Sequence, residues 1–194
     1  RRGFDITTKE GKELKGKSTH IWRCKPDGSE LESVSSGGFD NAVELIFMPG
    51  GETIGTMTYF TDPMNGFRDG LMHWVYGGVY PKPEQATEDD SLKLSGDLMP
   101  VMTKLPRIAH SGLMRYEGAG FGPDFEGNLL SAQFNTGRIM RHQITPVGAT
   151  YQTKDEPFMT SSNPDVHLTD VLEDGDGSLL VVDTGGWFIA GCPL

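Results

Sequence analysis

Five histidines and a modest set of carboxylates are the side chains in this chain best suited to moving protons. His167 and Asp170 stand three residues apart, and His110 is followed directly by Ser111. Histidine titrates closer to neutral pH than any other side chain, so His167 could take a proton from a substrate hydroxyl while Asp170 orients it. His110 is a second candidate base. Asn135, Arg138 and Asp183 add an amide, a guanidinium and a carboxylate that could hold a polar substrate or a cofactor. No ligand set for a metal is evident from spacing. Residues three apart on an extended chain point to opposite faces, which leaves Asp170 free to bind backbone between neighbouring elements while His167 lines a channel. Arg141-His142 reads as a hydrogen-bonded contact of the same structural kind. Ser111 lacks the Gly-x-Ser-x-Gly elbow of a serine hydrolase. Asp174-Gly175-Asp176-Gly177 lacks the later ligands of a calcium loop and reads as a hairpin turn.

The elements that must position these residues are strands. Apolar or alternating runs of four to eight residues recur along the chain, separated by Pro26-Asp27-Gly28-Ser29, Pro49-Gly50-Gly51, Asn135-Thr136-Gly137 and Asp174-Gly175-Asp176-Gly177. Such runs and turns predict an all-β protein built of hairpins. Asn41-x-x-Glu44 followed by Gly51 is echoed 126 residues later by His167-x-x-Asp170 followed by Gly177, and a looser copy starts at His110. Repeats of this length, each holding about four strands, predict a β-propeller with four-stranded antiparallel blades. The strands divide into the outer half of one blade (19–35), two whole blades (about 40–104 and 110–155) and the inner half of another (167–183). That is a partial propeller of about three blades over residues 1–194, with 77–107 as a surface insertion. In this arrangement Asp40, Asn41, His110, Ser111, Asn163, Asp165 and His167, together with Asp62, Asn65, Arg68, Asp69, Asn135, Arg138, Asp183 and Thr184, fall on one rim.

Composition narrows the function classes. The chain has 194 residues, a net charge of −10 and a pI near 4.9, so its surface repels phosphate and nucleic acid is excluded as a partner. Gly (26) and Pro (12) make up about a fifth of the residues, which suits many turns and few helices. No window reaches the length of an apolar membrane span. Cys24 and Cys192 fit neither a zinc site nor the Cys-x-x-Cys-His of haem attachment, and read as unpaired thiols. The chain starts without Met, shows no signal peptide, and stops directly after a strand, as an excised piece of a longer polypeptide would.

The motifs Ile21-Trp22-Arg23-Cys24-Lys25-Pro26-Asp27-Gly28-Ser29, His110-Ser111-Gly112-Leu113-Met114-Arg115-Tyr116, Phe134-Asn135-Thr136-Gly137-Arg138, and His167 to Asp174 continuing through Val182-Asp183-Thr184-Gly185-Gly186-Trp187 resemble the propeller of the PVC-type membrane-bound dehydrogenases. More distantly they resemble the quinoprotein glucose/sorbosone dehydrogenases. The resemblance implies an extracytoplasmic (periplasmic or cell-surface) propeller that oxidises a sugar or alcohol. It also implies pyrroloquinoline quinone (PQQ) with Ca²⁺ as cofactors, and a cytochrome c domain elsewhere in the parent protein as electron partner. This sequence departs from the pattern in three ways. The His-Asn-Gly-Gly motif that carries the base in the glucose/sorbosone enzymes is absent; Thr169-Asp170-Val171 stands where they have Arg-Asp-Val; and His110 replaces what is often Pro.

Two readings follow. In the first, the chain is the substrate-side propeller domain of a quinone-dependent or haem-coupled oxidoreductase, with His167, Asp170 and His110 as catalytic candidates and Asn135, Arg138 and Asp183 as cofactor-binding ones. In the second, it is a non-catalytic propeller that binds a glycan or a protein on an aromatic platform, for which Trp74, Tyr76, Tyr80 and Trp187 are the candidates.

Overall fold

The computed structural model describes residues 3–58, 66–82 and 89–186. Asp62, Asn65, Trp187 and Cys192 lie outside the described residues. Strand follows strand in chain order: β1 (Phe4–Thr7), β2 (Glu13–Gly16), β3 (Thr19–Arg23), β4 (Glu32–Gly38), β5 (Leu45–Phe47), β6 (Thr53–Met57), β7 (Asp69–Trp74), β8 (Val79–Pro81), β9 (Thr103–Leu105), β10 (His110–Arg115), β11 (Leu129–Gln133), β12 (Arg138–Val147), β13 (Thr150–Thr160), β14 (Leu168–Glu173) and β15 (Leu179–Asp183). One 3₁₀ turn, Phe134–Thr136, joins β11 to β12. Among the described residues no helix is long and apolar enough to cross a membrane.

The sheets are those of a partial propeller. β5-β6-β7-β9 and β10-β11-β12-β13 are two four-stranded antiparallel blades. They are flanked by β3-β4 on one side and β14-β15 on the other. Face-to-face packing of these sheets makes three apolar layers. Phe39, Met57, Met72, Trp74 and Tyr80 join the first flanking sheet to the first blade, with Ile21 of β3 packed against them. Met48, Ile54, Leu71, Leu113 and Leu129 join the two blades. Met114, Tyr116, Leu130, Ala132, Ile139, Leu168 and Val171 join the second blade to β14-β15. The long antiparallel strands are thus apolar on both faces where they sit between layers, and burial of these side chains is the main favourable term in the fold.

One turn recurs four times. Residues 8–12, 25–29, 48–52 and 174–178 each close with an N–H from the first residue to the carbonyl of the fifth, and one from the fourth to the carbonyl of the first. The fourth residue is always glycine (Gly11, Gly28, Gly51, Gly177) at φ between 81° and 92°, a conformation that L side chains resist. The Asp174 turn therefore carries out a strand reversal, and the echo between Gly51 and Gly177 is a repeated geometry of blade hairpins.

Three elements differ from the expectation. The stretch 98–103, at the end of the first whole blade expected over about 40–104, has the apolar pattern of a closing strand but is irregular until β9 begins at Thr103, because Pro100 has no N–H to place in a ladder. Its apolar residues Met99 and Val101 still pack into the core. β13 continues to Thr160 through Pro157, which an outermost strand tolerates because its far edge is unpaired. The hairpin β1-β2 has no counterpart in the sequence reading; its exposed charges at Asp5, Glu13 and Lys15 hide a short alternating pattern. Within 77–107, residues 93–97 are exposed, whereas β8 leaves the first blade to pair in parallel with β4 (Ser36↔Val79, Gly37↔Tyr80, Gly38↔Pro81). Asp89 in the same stretch is buried, and its carboxylate accepts the backbone N–H groups of Lys17, Ser18 and Ser91 at 2.6, 2.8 and 3.0 Å.

Candidate functional site

The end of the propeller formed by the 3₁₀ turn and the segment 161–167 gathers most of the sequence candidates. Phe134 N–H and Asn135 N–H donate to the carbonyls of Ala109 and Ile108, which fixes the turn over the start of β10. Gly137, at φ 56°, then lets the chain enter β12 while its carbonyl accepts the N–H of Ser161. Asn135 is half-buried on this turn and Arg138, the first residue of β12, is exposed. His167 sits directly before β14. Its N–H donates to Asp183 Oδ1 at 2.9 Å, its carbonyl accepts the N–H of Thr184 at 3.0 Å, and its ring lies 4.6 Å from that of Phe134. Asp183 Oδ1 also accepts Gly185 N–H at 2.8 Å; these two backbone donors, Gly185 first, hold its carboxyl below the usual range. His167, Asn135, Arg138 and Asp183 are therefore brought to one rim.

Asp170 lies deeper, on β14 at a register shift between Leu168 and Asp170. Its Oδ1 accepts the N–H of Val171 at 2.8 Å, and it rests against Gly112 of β10 so closely that a Cβ there would fall 2.1 Å from Oδ1. Across the inner strands it faces Glu44, whose carboxyl is raised by burial and then by the Asp170 charge. In the sequence Glu44 stands out only as a repeat position. The two carboxylates lie at repeat-equivalent places on the inner sides of different blades, close enough for the Asp170 charge to be felt at Glu44.

His110 does not join the rim. It is 1% exposed, with its ring turned between the blades, 6.1 Å from that of His142. Neither ring nitrogen has a hydrogen-bond partner. Burial and then His142 push its titration down to about 3, offset in part by the nearby Gly70 backbone and by Asp155. An uncharged, enclosed imidazole cannot reach a substrate at the rim. Ser111 is likewise structural, donating from Oγ toward the carbonyls of Ala132 and Leu168 at 3.2 Å each.

The contacts expected of Arg141 and His142 between blades are instead made inside one blade. Arg141 Nε donates to Asn128 Oδ1 at 3.0 Å and its Nη1 to Glu156 Oε1 at 2.8 Å, while the guanidinium lies 3.8 Å over the Phe125 ring. His142 is held between Asp155 Oδ1 (2.6 Å) and Ser131 Oγ (2.8 Å). With Nδ1–H given to the carboxylate, Nε2 is placed to bond the Ser131 hydroxyl. The order Ser, His, carboxylate is that of a hydrolase triad, but Ser131 and His142 are fully buried across adjacent strands, so the relay stitches the blade together. The single sign of it in the sequence is a period-two placement of polar residues in otherwise apolar strands.

Asp69 is buried and its Oδ2 accepts the N–H groups of Ile108 and Ala109 at 2.7 Å each, tying one blade to the next. Of the aromatic candidates, Trp74 and Tyr80 are core residues rather than a platform, and Tyr76 is exposed.

No protein-family model matches this chain. No curated protein matches it either. Among solved structures it is similar to a protein assigned as an oxidoreductase (glucose dehydrogenase) from Thermus thermophilus, at 18% identity and a TM-score of 0.54, over 81% of this chain and 42% of that one. It is also similar to two glucose dehydrogenases, both at 19% identity and a TM-score of 0.59, over 83% and 82% of this chain and 46% and 45% of theirs. The likeness is one of fold, and the chain spans less than half the length of each.

Proposed function

We propose that this chain is the substrate-side part of the propeller of an oxidoreductase that acts on a sugar or an alcohol outside the cytoplasm. The observation that supports it best is the rim at 134–138 and 161–167, where an imidazole, an amide and a guanidinium share one end of a fold also found in glucose dehydrogenases. In this reading His167 removes the hydroxyl proton of the substrate as the carbon is oxidised. The Asp183 carboxylate is a positioning group, since it holds the His167 backbone, and Asn135 and Arg138 donate to substrate hydroxyls. The C–H hydrogen leaves with the electron pair, as a hydride, to a two-electron acceptor carried by the rest of the protein, from which the resemblance suggests that the electrons pass singly to the cytochrome c domain. The location outside the cytoplasm and the PVC-type family rest on the same resemblance.

Calcium finds no ligand cage among the described rim residues. Calcium takes six to eight oxygen ligands, yet Asp183 Oδ1 is engaged by two backbone donors and Asp170 Oδ1 by one. No three His, Cys, Asp or Glu among the described residues are grouped to hold a metal ion. A calcium ion would draw its ligands from elsewhere in the ring.

The test is dye reduction by the intact protein over a panel of aldoses and alcohols, with and without added PQQ and Ca²⁺, for wild type and His167→Ala. Turnover of at least one substrate, with kcat reduced by about 100-fold or more in a folded His167→Ala variant, is the expected result for loss of a general base. Absence of turnover in folded protein, or full activity in the variant, would overturn the reading.

A further inference from the structure

We propose that the groove between the β1-β2 hairpin and β3-β4, well apart in sequence from the rim, binds a neutral oligosaccharide, with Trp22 and Tyr76 as stacking rings and Glu32 and Ser33 as hydroxyl-binding groups. The groove has a volume of about 540 Å³, within the range of ligand sites, and Phe4, His20, Trp22 and Tyr76 line it together with Glu32 and Ser33. A second hollow of about 480 Å³ adjoins it and shares Phe4, His20 and Trp22, so these rings form a ridge with open space on more than one side.

The ridge is held rigidly before any ligand arrives. Strand alternation sets His20 and Trp22 on the same face of β3, opposite Ile21, which goes into the core. The His20 ring stacks on Trp22 at 4.6 Å and 20°, and Phe4 of the hairpin meets both edge-on at 4.8 and 5.3 Å. Ser18 Oγ donates to Asp89 at 2.9 Å, so toward His20 it can only accept, from Nε2–H at 2.9 Å. His20 Nδ1 then accepts from Ser33 Oγ at 2.8 Å. Burial, only partly opposed by the Asp89 charge, lowers the His20 titration and keeps this ring neutral. Tyr76 is 64% exposed; its hydroxyl donates to Glu32 Oε2 at 3.0 Å, and Arg23 lies 5.7 Å from its ring centre.

The chemistry selects the ligand. A pyranose presents an apolar face of C–H groups, which seats on an aromatic ring, and an equatorial girdle of hydroxyls, which needs donors and acceptors at the edge. The Glu32 carboxylate and the Ser33 oxygen provide acceptors at the side of the rings, to which sugar hydroxyls can donate. Most charges around the groove are paired, Lys15 with Asp5 and Glu13 and Arg23 with Glu32, while Lys12 also lines it, and an anionic control ligand tests whether that ammonium is the attraction. Rigid rings and pre-bonded polar groups lose little entropy on binding, which favours a weakly interacting ligand such as a sugar.

The site is tested by native gel electrophoresis of the intact protein through gels containing hydroxyethylcellulose, glucomannan or, as an anionic control, alginate. At least one neutral polysaccharide is expected to retard the protein. Tyr76→Ala, an exposed position, is expected to weaken that retardation tenfold or more, Glu32→Gln threefold or more, and His167→Ala not at all. Folded wild-type protein that no neutral polysaccharide retards, or that only alginate retards, overturns the proposal. Retardation unchanged by Tyr76→Ala overturns it, and loss in His167→Ala alone moves the sugar to the rim and overturns it as well. The outcome is independent of turnover, so this site and the proposed oxidoreductase activity stand or fall separately.

Discussion

Acidification should loosen this protein through one enclosed histidine. In the unfolded chain His110 takes up a proton at about pH 6.5, whereas in the folded protein burial and His142 hold that event to about pH 3. Its contribution to stability is therefore complete above pH 6.5 and is lost progressively as the pH falls toward 3, where the unfolded state alone binds the extra proton. Between pH 7 and pH 5 the loss comes to about 2 kcal/mol, from a limiting slope of about 1.4 kcal/mol per pH unit. The groups facing the ring, His142 and Asp155, are themselves hydrogen-bonded to each other and offer His110 no partner. His20 and His73 are also lowered, burial being the first cause in each, and add to the loss with the same sign. The perturbation that isolates His110 is His110→Leu. Since neither ring nitrogen is hydrogen-bonded, removing both should leave stability at pH 7 equal or higher. Urea unfolding of wild type and variant at pH 7, 6 and 5 gives the comparison. The expected result is a wild-type loss about 2 kcal/mol larger than that of the variant. Equal pH dependence in the two proteins, or a marked loss in the variant at pH 7, would refute the reasoning.

Three further substitutions probe the framework. Asp89→Ala leaves the N–H groups of Lys17, Ser18 and Ser91 without their acceptor and should cost about 2–4 kcal/mol by urea unfolding; a neutral result would show that water replaces the carboxylate. Gly112→Ala places a methyl group 2.1 Å from Asp170 Oδ1 and 2.6 Å from its Cα, so β14 must move. A loss of about 1–3 kcal/mol is expected, and Gly112→Ala/Asp170→Ala should recover only part of it because the Cα clash remains. Arg141→Lys keeps the charge but cannot reproduce the forked donors to Asn128 and Glu156 or the contact with Phe125, and should cost about 2–3 kcal/mol; an unchanged urea midpoint would show that charge alone matters there.

Much of the architecture can be read in one dimension because blade structure is local. The turns at 25–29, 48–52 and 174–178 declare themselves through Pro, Asp and Gly at set offsets, and the strands between them through alternation. The two whole blades and both flanking half-blades follow from that spacing. The hairpin β1-β2 is hard to see in the sequence because its apolar residues, Phe4, Ile6 and Leu14, are diluted by charges that pair on the surface. Run 98–103 misleads for the opposite reason: its apolar residues are buried, but as irregular chain around Pro100.

The candidate site divides along the same line. That His167, Asn135, Arg138 and Asp183 lie at one end follows from the order of strands and turns, which the sequence carries. That His110 is shut between blades, that Asp170 meets Gly112 and its charge reaches Glu44, and that Phe4, His20, Trp22 and Tyr76 line one groove depends on proximity between residues up to 126 positions apart. Alternation tells which residues share a face of a strand, but which sheet covers that face, and whether water reaches it, is decided only when the blades pack. For a histidine that distinction separates a base in solvent from a neutral ring in the core, because the energetic penalty for charging it comes from the surroundings and not from the residue itself.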